Sequence, residues 1–438
     1  MNIHVVQPGD TIYTIADQYS VNAERLALDN DISDPNHLIP GEALFIIRPI
    51  QTYIVQEGDS LANIADENGI DIMELLRNNP NLSYNNIPAG IELVISYGAE
   101  KTGAIRTGGF AYYYIDPETL RKTLPYLTYL YIYSYQIMPS GDLSDIDDLA
   151  LIRMAKAYDV APIMSITALN EVNGVETNIM HTLLTDIQIQ DNFIYNIQSI
   201  LYNKGYYGIN IDTPFIQPQD QQAYVNFIDK ITKRFNSEGF IVMVTLSPSV
   251  FEASTGIIYS GIDYVGLSRA ANMILYQLTY AWRYRDNLPL NILPVNAVMQ
   301  TATKAIQLIT PEKFMLGISN IGYLWEFPYF AALTNVSYLS YNTAIQLAGD
   351  TGSVIQFNDP SYSSYFQYIP DGHEYMAWFI DIRAVELWSL YLRESGLNSL
   401  SLWNIMVFVT NIWLLINAKF EIVKLFNHQS DAIIENDR

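Results

Sequence analysis

The chain has 438 residues, half of them hydrophobic and only 16% charged, enough length for a large core and more than one domain. Its 46 acidic and 23 basic side chains give a net charge of −23, which argues against a nucleic-acid binder or a protein held on an anionic membrane surface. There is no cysteine, so neither a disulfide framework nor a thiolate metal site is available. The five histidines (His4, His37, His181, His373 and His428) are scattered without a chelating spacing, and neither metal nor cofactor is expected. The 33 tyrosines offer flat apolar area with a polar tip, suited to sugars and to assembly contacts.

Met1-Asn2-Ile3-His4 lacks the basic and apolar regions of a signal peptide, so the protein is expected to stay in the cytosol that makes it. Two related segments follow. His4-Val5-Val6-Gln7-Pro8-Gly9-Asp10-Thr11-Ile12 returns 49 residues later as Tyr53-Ile54-Val55-Gln56-Glu57-Gly58-Asp59-Ser60-Leu61. Each copy predicts a short strand, a Gly-Asp-Thr/Ser turn that caps a helix, an Asn-rich turn, a second helix and a closing strand. The closing strands are expected at Ile39–Phe45 and Ile87–Leu93. These segments resemble LysM domains of βααβ form over residues 2–48 and 51–97. The resemblance implies binding of N-acetylglucosamine polymers, peptidoglycan or chitin, in a groove between the first turn and the second loop. By position that groove would use Gly9, Asp10, Thr11 and Ile12 with Asn30, Asp31 and Ile32. In the second copy it would use Gly58, Asp59, Ser60 and Leu61 with Asn78, Asn79 and Pro80.

After a linker over 98–108, buried apolar runs alternate with helical patterns, the signature of a parallel α/β barrel. Strands are expected at 109–115, 129–136, 161–167, 208–212, 240–246, 264–267 running on to 276–280, 314–318 and 399–403. Helices are expected at 146–158, 191–204, 221–238, 294–308 and 381–395. The uncharged stretch 396–418 carries too many Asn and Ser residues for a bilayer core and reads as a buried strand followed by a helix, with no membrane insertion. Residues 429–438 form a polar tail.

The fourth run, Gly208-Ile209-Asn210-Ile211-Asp212, places a carboxylate at the end of a buried strand, where a barrel holds its site. It resembles the fourth-strand motif of family 18 glycoside hydrolases, and most closely their spore cortex-lytic branch. Leu278-Thr279-Tyr280-Ala281-Trp282, Phe314–Ile318 with Tyr323-Leu324-Trp325, Ala377–Arg383 and Leu402-Trp403-Asn404 resemble four further family stretches. The resemblance implies a (β/α)8 barrel over 109–428 and a substrate-assisted mechanism, an exception to the usual carboxylate pair. In that mechanism an acid protonates the glycosidic oxygen while an Asp two residues earlier and a Tyr hold the sugar acetamide. Asp212 and Tyr280 match those two, but Pro214 stands where the acid should be, and Pro has no proton to give. Glu252 and Glu326 lie near the expected rim at other spacings. Trp403, Trp282 and Trp325 are candidates for stacking on sugar, and Trp388 and Trp413 read as core.

Three readings follow. The favoured one is a hydrolytically silent glycan-binding or structural protein of the bacterial spore envelope (coat, exosporium or cortex surface), made in the mother cell and open to self-assembly. The second is a working spore peptidoglycan N-acetylglucosaminidase using another acid. The third is a lectin-like barrel that still holds sugar.

Overall fold

A computed structural model of the chain describes residues 1–426 apart from 83–86, 171–173, 176, 214–215, 247–249, 254–255, 260–261, 278–294 and 329–335. Pro214, Tyr280, Trp282, His428 and the expected 429–438 tail therefore lie outside the described residues.

The two N-terminal copies each fold as strand, helix, helix, strand. In the first, Asn2–Val5 pairs antiparallel with Ala43–Ile46 around helices Ile12–Tyr19 and Ala23–Asp29. In the second, Pro49–Ile54 pairs with Glu92–Tyr97 around Leu61–Glu67 and Ile72–Asn78. Thr11 and Ser60 cap the first helix of each copy by accepting the N–H three residues on, which gives an otherwise orphaned donor a partner.

Eight parallel strands then close a barrel. In order they are Ala104–Tyr112, Tyr129–Gln136, Ala161–Thr167, Gly208–Asp212, Ile241–Leu246, Met273–Gln277, Phe314–Ser319 and Ser399–Trp403. The eighth strand pairs with the first, Ser399 opposite Arg106. Alternation decides the two faces. Ile209 and Ile211 join the cluster beneath the outer helices, while Tyr131, Ile163, Met243, Leu275 and Met315 fill the interior. The barrel is thus a packed core, with its site confined to the strand C-terminal ends.

Two corrections concern strand positions. The sixth strand does not begin at Tyr264: Asp263 accepts the N–H of Gly266 and starts a helix, Tyr264–Ala270, and the strand begins at Met273. A short apolar run does not by itself separate a buried strand from a buried helix turn. The first strand runs Ala104–Tyr112 rather than 109–115, because the chain turns at Tyr112, whose carbonyl accepts the N–H of Ile115.

Between the seventh and eighth strands sits an antiparallel sheet that the sequence reading missed. Its order is Ser337–Leu339, Gly322–Phe327, Glu374–Phe379, Ser363–Tyr368, Gln356–Asn358, with helix Tyr341–Asp350 beside it. The segment after the eighth strand is the expected helix, Thr410–Lys419, buried on every side except at its end. A helix apolar all round needs neighbours all round, and here the two N-terminal copies cover what the barrel leaves open. Asp31 accepts from the Thr410 N–H at 2.8 Å, and Asn417 bonds Arg77 and Asn78 at 2.9 Å each. Among the described residues, no helix is long and apolar enough to cross a membrane.

Candidate functional site

At the C-terminal ends of the strands the interior turns polar. Thr167, Asn210, Asp212, Thr245, Gln277 and Ser401 continue the inward-facing positions of five strands, and all are buried. Asn210 and Thr245 exchange hydrogen bonds at 2.9 and 3.0 Å. Asp212 lies one step above Asn210 in that alternation, 1% exposed, in register with Thr167 and Thr245. The next residue, Thr213, turns away and donates to the Tyr224 hydroxyl at 2.9 Å. Burial, with the Asp212 charge adding to it, raises that hydroxyl above the ordinary tyrosine value.

Beside this mouth opens a cleft of about 510 Å³, walled by Tyr112, Tyr114, Tyr323, Tyr338, Tyr341 and Trp403. The first and eighth strands supply Tyr112 and Trp403, and the inserted sheet supplies Tyr323 and Tyr338. Trp403 is set by aromatic neighbours: Tyr133 meets it edge-on at 4.9 Å and Phe110 lies at 5.1 Å between centroids. The remaining wall is Asn320, Asn404, Ser340 and aliphatic side chains, so among the described residues the lining holds no Asp, Glu, Lys, Arg or His. Broad aromatic faces with a few amides and hydroxyls form the chemistry of a pyranose site: apolar area for the ring face, hydrogen bonds for its edge.

Of the three candidate tryptophans, the structure places Trp403 in the cleft. Trp325 sits half-buried on the inserted sheet, its ring 6.3 Å from that of Tyr323, and the cleft wall there is Tyr323 and Tyr338 instead. Trp282 and Tyr280 lie outside the described residues. Glu326 is on the same sheet, 3.6 Å from the exposed His373. Glu252 falls in strand Val250–Ala253, which pairs with Gly256–Tyr259. Trp388 and Trp413 are core, each 2% exposed.

The N-terminal candidates divide by role. Gly9 and Gly58 hold φ of +95° and +94° at exposed turns, and a Cβ at either would meet nothing within 4 Å. Asp10 accepts the Gln7 N–H at 2.7 Å and faces His4 at 3.0 Å; that backbone bond is the main reason its carboxyl sits below its usual range. Asp59 makes the matching pair with the Gln56 N–H and the Tyr53 hydroxyl. Ile12 and Leu61 are core, 1% and 2% exposed. Asn30 and Asn79, 49 residues apart, are buried and make the same three bonds, to two carbonyls and one N–H of their own domains. Their side chains tie helix to strand. Asn78 bonds Ile95 and Asn417, Asp31 bonds Thr410, Pro80 is buried and Ile32 is half-buried. The first turns, Gly9-Asp10-Thr11 and Gly58-Asp59-Ser60, are exposed or half-buried, and in the first copy Asn30, Asp31 and Ile32 border a cleft beside the barrel.

Residues 109–406 match the glycosyl hydrolases family 18, and residues 4–46 and 53–96 each match the LysM domain. The chain belongs to glycosyl hydrolase family 18. It is 27% identical over 435 residues to the cortical fragment-lytic enzyme of Bacillus subtilis, covering 97% of this chain and 99% of that one. The crystal structure of the spore cortex-lytic enzyme SleL of Bacillus cereus superposes with a TM-score of 0.78 at 25% identity, covering 97% and 98% of the two chains. SleL of Bacillus megaterium gives 0.79 at 26%, covering 97% and 99%. The tandem LysM domains and the (β/α)8 barrel stand as the sequence implied. The tyrosine walls of the cleft were not singled out from sequence. Their count was conspicuous, but their convergence depends on an insertion whose strands are short and separated by loops.

Proposed function

We propose that the protein is a glycan-binding member of family 18 in the bacterial spore envelope, holding an N-acetylglucosamine-containing polymer in the Trp403 cleft and on its LysM turns without cutting it. The observation that carries this reading is Pro214, two residues after Asp212, where a proton donor is needed. A positioned acid contributes about 10²–10⁴ in rate, and neither Pro214 nor the buried Thr213, already bonded to Tyr224, supplies one near neutral pH. The uncharged aromatic cleft supports retained binding, and the full-length likeness to spore cortex-lytic proteins supports the location and the class of polymer.

Titration calorimetry with N-acetylglucosamine oligomers tests it. Binding that weakens at least tenfold in Trp403→Ala is expected. Equal heats for the two proteins would remove the cleft from the account, and no heat from either would leave a scaffold alone.

A second reading, hydrolysis of cortex fragments, is favoured by the names of those full-length relatives and by the retention of Asp212 at the strand end. It requires an acid outside the usual position. Turnover of spore peptidoglycan that disappears in Asp212→Asn would establish it and overturn the first.

A further inference from the structure

A second cleft, of about 550 Å³, separates the first LysM domain from the barrel. One wall is the loop after the second LysM helix, including Ile32, Asp34 and Glu42; the other is the barrel helix Tyr341–Asp350, presenting Asn342, Gln346 and Asp350. The walls are fixed to each other. The Ile355 N–H donates to the Pro40 carbonyl at 2.9 Å, Asp31 caps Thr410, and a Cβ on Gly349 would lie 2.9 Å from Ile39. The two clefts are adjacent: Tyr341 lines both, and Val409, on the wall of the barrel cleft, precedes Thr410, the partner of Asp31.

We propose that a single glycan strand occupies both clefts, passing from one to the other at Tyr341 so that the first LysM domain and the barrel read one chain together. This rests on the glycan-binding reading above and adds the track. Each cleft falls in the range of about 300–1,000 Å³ that ligand pockets span. Carboxylates and amides accept and donate along the hydroxyl edges of pyranoses, and Ile32 and Ile345 give apolar contact for their faces. Asp31, Asp34 and Asp350 outnumber the single His37, with neither Lys nor Arg among the described lining residues, which disfavours anionic strands, so the segment held here is neutral or amine-bearing. Tyr341, 4% exposed, is the buried wall that the two clefts share, so its position sets the spacing between the sugars each one holds.

The test is the length dependence of binding on the full chain, with chitin oligomers from dimer to octamer as the probe. The proposal expects affinity to climb again, at least tenfold, beyond the length that fills the barrel cleft. Gln346→Trp, which plugs the second cleft from an exposed helix surface, should abolish that second rise and leave the short oligomers unchanged. A single plateau in the wild-type protein, or a second rise untouched by both Gln346→Trp and Asn342→Trp, overturns the track while leaving sugar binding by the barrel intact. No binding at any length overturns the underlying reading instead. Unchanged circular dichroism and melting of both variants exclude a folding defect as the cause.

Discussion

Glu42 is buried in the wall of the cleft between the first LysM domain and the barrel, and its titration should change how stability varies with pH. The side chain is 5% exposed, and burial is the main cause that raises its carboxyl from 4.5 to about 7; the Asp381 charge adds to this and the Ile39 N–H opposes it. Because the folded pKa is raised, the folded state keeps a proton that the unfolded chain has already lost between those two values. Stability from this group is therefore fully present below about pH 4.5, falls as pH rises, and levels off above about 7. At 1.36 kcal/mol per unit the loss is about 3 kcal/mol. Glu42→Gln carries no titrating proton and should remove that slope. Urea unfolding followed by tryptophan fluorescence should find the variant more stable than wild type by up to about 3 kcal/mol near pH 8, with the difference vanishing near pH 4. A difference independent of pH, or a variant that is less stable only at high pH, would refute the reasoning.

Other perturbations follow from single contacts. Asp148, fully buried, takes the Tyr135 and Tyr206 hydroxyls and the Lys204 ammonium at 2.9 Å; Lys204→Met strands its charge and should lower unfolding free energy by about 3–5 kcal/mol, with part recovered on adding Asp148→Asn. Gly41 and Gly90 occupy matching turns at φ +86° and +91°, so alanine at either carries the left-handed penalty of about 1–2 kcal/mol. A Cβ at Gly41 would also lie 1.8 Å from the Ile355 carbonyl oxygen, whereas at Gly90 it meets nothing, so hydrogen exchange of the Ile355 amide should accelerate in Gly41→Ala and not in Gly90→Ala. Pro214→Glu should give detectable release of a chromogenic N-acetylglucosamine oligomer; a folded variant that still binds sugar and stays silent would place the defect elsewhere in the cleft.

The duplicated N-terminal units were legible because short-range signals repeat in order: Gly for a positive φ, Asp to fasten the turn, Thr or Ser to cap. The barrel was legible because its strands are buried on both faces and read as apolar runs. The same property blurred the sixth strand, where Tyr264–Leu267 is apolar yet helical. Side-chain roles were harder. Asn30 and Asn79 were read as groove residues from their place in an Asn-rich turn; both are buried and tie helix to strand, and Asn30 also borders the cleft beside the barrel, roles set by burial and neighbours rather than by residue type. The cleft walls escaped notice because Tyr112, Tyr323 and Tyr341 are more than two hundred residues apart at the extremes and meet only through barrel closure.

The most direct measurement is of reducing ends liberated from purified spore cortex peptidoglycan by the full chain, beside a heat-inactivated sample and a sedimentation assay for retention on the same polymer. Protein retained on the polymer, with reducing ends no higher than in the inactivated sample, is the expected result. Sustained release that scales with protein concentration and is lost in Asp212→Asn would contradict it.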